Sequence, residues 1–112
     1  MKLCIDLDGT IAEKKEWSFA DSYKRQEKML MAIKPRYEVI SRINLLYALG
    51  HTIIIHSSRH WKDYETTVKW LKKYGVNYHT LILAKPLATY YIDDRNLSID
   101  EFLNIPIMHW LK

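Results

Sequence analysis

The chain has 112 residues, 48% of them apolar and 27% charged, the composition of a soluble globular protein with one core and one domain, residues 1–112. A single cysteine excludes an internal disulfide, and no apolar run is long enough to cross a bilayer. The net charge of +4 favours an anionic partner such as a phosphorylated metabolite, a nucleotide or nucleic acid. The basic residues are scattered rather than grouped, so charge alone does not favour nucleic acid. With no signal-peptide pattern, a cytoplasmic location and no membrane partner are expected.

Lys2 to Leu7 reads as a buried strand, and the Asp8-Gly9 pair after it as a tight turn. Residues 12 to 34 allow two readings, a small flap or helical insert beside the strand end or an ordinary surface helix. Ser18 to Asp21 has the form of a capping box there, and Tyr23 to Ile33 suits a helix. Pro35 to Leu49 places Val39, Ile40, Ile43, Leu46 and Tyr47 at helical spacing, with Gly50 closing the helix. Thr52 to His56 is a β-branched run and reads as a second strand. Trp61 to Tyr74 predicts a helix with Tyr64, Val68 and Leu71 inward and Gly75 as its stop. Tyr78 to Leu83 and Thr89 to Ile92 read as a third and a fourth strand. Ser98 to Leu103 is a helical turn, with Ser98 capping and Glu101 three residues on. Ile105 to Trp110 is expected as a last strand, placed at an edge by Pro106.

Strands alternating with helices predict an α/β fold whose parallel sheet is covered on both faces. Ligands bind such sheets at the carboxyl ends of the strands, and Asp6, Ser57 and Asp93 each fall at one. The D-L-D-G-T stretch holds two carboxylates, Asp6 and Asp8, at the end of an apolar strand, where like charges repel. A hard cation between them would cancel the repulsion, and Mg²⁺ prefers oxygen ligands. A second acidic pair, Asp93-Asp94, follows another apolar run. Neighbouring residues on a strand point to opposite sides, so one of the two faces that cation directly. Ser57 and Lys85 supply a hydroxyl and an ammonium suited to phosphate oxygens.

The ordered set D-x-D-G-T, Ser57, Lys85 and Asp93-Asp94 resembles the haloacid dehalogenase superfamily, from Lys2 to about Leu103. The resemblance implies a three-layer α/β/α sandwich about a parallel sheet, Rossmann-like, with a minimal cap or none. It implies Asp6 as nucleophile forming an aspartyl phosphate and as Mg²⁺ ligand. Asp8 would be the general acid and base, its backbone carbonyl also reaching the metal. Ser57 and Lys85 would hold the phosphoryl group, and Asp93 would complete the metal site as the direct ligand, with Asp94 supporting it. The wording G-H-T-I-I-I-H-S-S-R, L-I-L-A-K-P and Y-I-D-D-R is similar to small, nearly capless capsule or polysaccharide biosynthesis phosphatases. Ala84 stands where that wording often has Gly.

The expectation is therefore a Mg²⁺-dependent phosphatase acting on a phosphorylated sugar or a related biosynthetic intermediate. Nucleotides or nucleic-acid phosphate ends are the alternative substrates, and a non-catalytic binding protein of the same fold is the alternative class. Ser58 and Arg59, just after the second strand, are further substrate-binding candidates. His60 and Arg95 are basic loop residues in similar positions. His56 is expected to point opposite Ser57 as a packed histidine, and Cys4 to be a small core residue. A homo-oligomer is possible, with a neighbouring subunit covering the open site.

Overall fold

The computed structural model describes residues 1–14 and 23–111, so the Ser18–Asp21 capping box lies outside the described residues. Strand β1 (Lys2–Asp6) pairs in parallel with β2 (Thr52–His56), and β2 pairs in parallel with β3 (Thr80–Ile82), giving the order β1-β2-β3. The helices are α1 (Tyr23–Met31), α2 (Tyr37–Ala48), α3 (Tyr64–Lys73), α4 (Ile99–Asn104) and α5 (Ile107–Trp110); one 3₁₀ turn, Trp61–Asp63, leads into α3. The protein is thus a compact α/β fold with a three-stranded parallel sheet. No described helix is long and apolar enough to cross a membrane.

Strand alternation decides what is buried. Ile5, Ile53, Ile55 and Leu81 stand in register on one face and are buried. They share a core with Leu30 of α1, Val39, Ile40, Ile43 and Leu46 of α2, and Trp70 and Leu71 of α3. Each such side chain, fully buried, contributes about 1.5–3 kcal/mol. Sequential strand order with right-handed crossovers sends successive helices to the same face, consistent with that shared core. The opposite face carries Cys4, Ile54, Thr80 and Ile82, which are exposed or half-buried. Cys4 is therefore not a core residue: its place in the strand alternation puts it on the open face.

The insert between β1 and α2 leaves and returns at one point. Glu13 donates to the Lys34 carbonyl at 2.8 Å, Arg36 to the Ile11 carbonyl at 2.8 Å, and Ala12 bridges Pro35. Within it α1 packs on α3. The Trp70 indole N–H donates to the Ile33 carbonyl at 2.9 Å, and Lys69 pairs with Glu27 at 3.1 Å.

Two inward-facing expectations change. Tyr47 is exposed and stacks on His79, with ring centroids 4.6 Å apart. Tyr64 is exposed, because α3 turns Thr66, Thr67, Trp70 and Leu71 inward instead. The capping box of Ser98 and Glu101 is formed in both directions.

Two expected strands are not formed. Residues 89–92 carry no strand. The Tyr91 hydroxyl donates to the Pro86 carbonyl and accepts from the Ala88 N–H, which folds the segment back on the residues before it as a loop. The expected edge strand over Ile105 to Trp110 is instead a helix, α5, over Ile107–Trp110. Pro106 sits at φ −59° as its N-cap, and the carbonyls flanking the turn are captured by side chains. Arg42 donates to Leu103 and Ile105, and the His51 ring meets the Trp110 carbonyl at 2.7 Å.

Candidate functional site

The D-L-D-G-T stretch makes a compact turn at the carboxyl end of β1. The Leu7 carbonyl accepts from Thr10, Ile11 and Ala12, while Gly9 at φ +86° donates to Ala12. A left-handed residue is needed there, which is why glycine follows the second aspartate. The turn sends the two carboxylates into different surroundings.

Asp6 lies in register with His56 on the open face of the sheet. A groove of about 900 Å³ runs along β1, lined by the strand from Lys2 to Asp6, by His56 and Lys85, and by much of Thr89 to Ile99. Lys85 Nζ stands 3.8 Å from Asp6 Oδ1 and 3.9 Å from the centroid of the Tyr91 ring. Burial pushes the Asp6 carboxyl above its ordinary 3.8; the positive Lys85 and His56 and the Leu7 N–H oppose the rise without reversing it, and Asp8 adds to it. Burial and Lys85 together hold His56 below 6.5, with Asp6 opposing.

Asp8 is held from the other side. Arg59 is buried, and its Nη2 and Nε donate to Asp8 Oδ1 at 2.7 Å and Oδ2 at 2.9 Å. This is a bidentate fork. Arg59 Nη1 donates to Thr67 Oγ1 at 3.1 Å, and that hydroxyl donates to the Asp63 carbonyl at 2.8 Å. Ser57 is fully buried; its hydroxyl donates to Asp8 Oδ2 at 3.4 Å and accepts from the Arg59 N–H at 3.1 Å. Ser58 is exposed beside it.

The loop after β3 sets Lys85. Ala84 donates to the Arg59 carbonyl, and Lys85 to the Ser57 carbonyl, both at 2.9 Å, with Ala84 at φ +60°. A side chain in this left-handed conformation costs roughly 1–2 kcal/mol. Ala84→Gly should therefore match or exceed the wild-type stability in urea unfolding. Ala84→Val should lose about 1–2 kcal/mol, because a β-branched residue fits that conformation poorly. Equal stabilities for the two variants would remove the strain argument.

Asp93 and Asp94 line the same groove as Asp6 but are exposed, and Asp93 Oδ1 accepts from the Arg95 N–H at 2.8 Å. Among the described residues, no three His, Cys, Asp or Glu side chains come close enough to hold a metal ion together. The donors thus fit Mg²⁺ in part. Asp6 is presented to the groove with the acidic pair on its lining, whereas the Asp8 carboxylate is engaged by Arg59.

Of the sequence candidates, Asp6 and Lys85 meet in the groove, Asp8 joins Ser57 and Arg59, and Asp93-Asp94 lie along the groove lining. Tyr91 and His56 are additions: one stacks under the lysine and the other stands beside Asp6. Tyr91 opens the Y-I-D-D-R wording, but nothing in that wording sets it against Lys85. His56, expected as a packed histidine, is half-buried on the groove lining, because its register with Asp6 puts it on the open face.

In shape the chain is similar to a crystallised protein from Vibrio cholerae, with a TM-score of 0.73 at 27% identity over 97% of this chain and 92% of that one. It is also similar to part of a chain in the Pnkp1/Rnl/Hen1 complex, with a TM-score of 0.57 at 25% identity over 82% of this chain and 30% of that one. The chain spans less than a third of that second protein. No family model and no curated protein matches the sequence.

Proposed function

We propose that the protein is a Mg²⁺-dependent phosphomonoester hydrolase of the haloacid dehalogenase type, acting through an aspartyl phosphate on Asp6. The observation that carries this reading is the pairing of Asp6, at the carboxyl end of β1, with Lys85, 3.8 Å apart in an open groove that runs along that strand. Asp8, two residues on, is presented from the adjoining turn by Ser57 and Arg59. The likeness to a chain of the Pnkp1/Rnl/Hen1 complex supports a phosphatase-related fold. In this reading the sheet is the middle of a three-layer sandwich, and the face bearing Cys4, Ile54 and Ile82 belongs to the third layer.

The chemistry follows from the two carboxylates. Asp6 attacks phosphorus, the bond to the leaving oxygen breaks, and Asp8 gives that oxygen its proton. Water then attacks the phosphorus, Asp8 takes the water's proton, and the bond to Asp6 breaks to restore the carboxylate. Lys85 balances charge on the phosphoryl oxygens. Asp6 would hold Mg²⁺ with phosphate and water oxygens, and Asp93 or Asp94 would supply a further contact. When bound, that ion neutralises the repulsion between a carboxylate and a phosphate dianion.

Phosphorylated sugars and related intermediates are the proposed substrates. The groove is open, so ends of larger molecules enter the test as well. Phosphate release is measured over phosphosugars, nucleotides and 3′- or 5′-phosphorylated oligonucleotides, with Mg²⁺ and then with EDTA. Release that EDTA stops and Mg²⁺ restores is the expected result, with Ca²⁺ a poor substitute because of its larger, looser coordination. No release from any compound would favour a binding protein that keeps this fold.

A further inference from the structure

Arg59 follows the second strand, where a basic loop residue would be expected to meet solvent or substrate. Its side chain is instead fully buried, and the guanidinium fork is spent on both oxygens of Asp8, at 2.7 and 2.9 Å. Burying a charge is costly unless it is paired and hydrogen-bonded, so this contact is a committed one. Its third nitrogen donates to Thr67, which is tied to the Asp63 carbonyl. A chain of hydrogen bonds therefore runs from the first turn of α3 to the Asp8 carboxylate. The Ser57 hydroxyl closes the cluster by accepting from the Arg59 N–H while facing Asp8.

We propose that Arg59 is a positioning residue that fixes the Asp8 carboxylate for proton exchange with the leaving oxygen, rather than a substrate-binding residue. The proposal rests on the phosphatase reading above. A carboxylate has about four lone-pair sites; the bidentate arginine uses two of them and the Ser57 hydroxyl, 3.4 Å from Oδ2, a third. One site, on Oδ1, is left to carry the proton that goes to the alcohol oxygen in the first step and is replaced from water in the second. Both carboxylate torsions are held by the fork, so Asp8 meets the leaving group in one geometry. Proton transfer depends steeply on that geometry. Lysine cannot replace the fork, because an ammonium is a point charge with no planar pair of donors.

The test compares first-turnover alcohol release from an alkyl phosphate and from p-nitrophenyl phosphate, in wild type, Arg59→Lys, Arg59→Ala and Asp6→Asn. An alkoxide needs a proton to leave, whereas p-nitrophenolate leaves without one. The structure predicts that Arg59→Lys slows the alkyl phosphate about 100-fold and p-nitrophenyl phosphate less than about 10-fold. Guanidinium ion added to Arg59→Ala should restore part of the alkyl-phosphate rate. Circular dichroism of Arg59→Lys, which keeps a positive charge in the site, reports whether the fold survives. Equal slowing of both substrates, or no slowing, would overturn the positioning role. If wild type and Asp6→Asn release alcohol equally, the phosphatase reading itself fails and the clamp with it.

Discussion

Asp6→Asn is expected to lower phosphate release at least about 10⁴-fold while leaving the fold intact, because an amide cannot form the acyl phosphate that the two-step reaction needs. Stability should move the other way. Asp6 is charged in a partly buried place, and burial outweighs its favourable partners, so its folded pKa lies above the ordinary 3.8. The folded chain then binds that proton more tightly than the unfolded chain. Stability falls as pH rises from 3.8 through the raised value and stays lower above it. Asparagine carries no charge to desolvate, so Asp6→Asn should melt no lower than wild type at pH 7 and should lack that part of the pH dependence. A large drop in melting temperature together with the lost activity would mean that Asp6 acts in the fold and not in the chemistry.

Lys85→Met carries the second largest effect. It removes a cation 3.8 Å from Asp6, and with it the charge proposed to meet the phosphoryl oxygens. A loss of about 100- to 1,000-fold in kcat/KM is expected, as for removing one strong donor from a charge-stabilising site. The variant also makes a signed prediction. Lys85 lowers the Asp6 pKa against the burial that raises it, so its removal lets that pKa rise further. The nucleophile must be ionised, so the acid limb of the pH–rate profile should move to higher pH in Lys85→Met at constant free Mg²⁺. A lower rate with an unmoved acid limb would place Lys85 on the phosphate alone and separate it from Asp6.

The parts of this arrangement that were legible in the sequence are those governed by short-range rules. An apolar run ended by D-G marked β1 and its turn, a β-branched run marked β2, and helical spacing marked four inward residues of α2. The Ser98–Glu101 box appeared where the capping rule puts it. Thr89 to Ile92 has the composition of a strand, but Tyr91 satisfies the loop's own carbonyl and amide, and no local pattern announces that. Pro106 reads as an edge-strand start but stands as a helix N-cap; the carbonyls on either side of that helix are held by Arg42 and His51, more than fifty residues upstream. Arg59 is the sharpest case. Its burial depends on Asp8, 51 positions earlier, and on Thr67, eight positions later. Periodicity cannot show a partner at that distance. The departure of Ala84 from glycine was legible, and the left-handed φ gives its physical meaning.

The most direct test is to trap the intermediate. Wild type is mixed with its best substrate from the panel in Mg²⁺, quenched in acid within the first turnovers, and digested for mass spectrometry. The account predicts one phosphoryl group on the peptide containing Asp6, stable in acid, lost in alkali and absent from Asp6→Asn. Full turnover with no phosphorylated peptide at any quench time would contradict it, since phosphate would then pass to water without a stop on the protein.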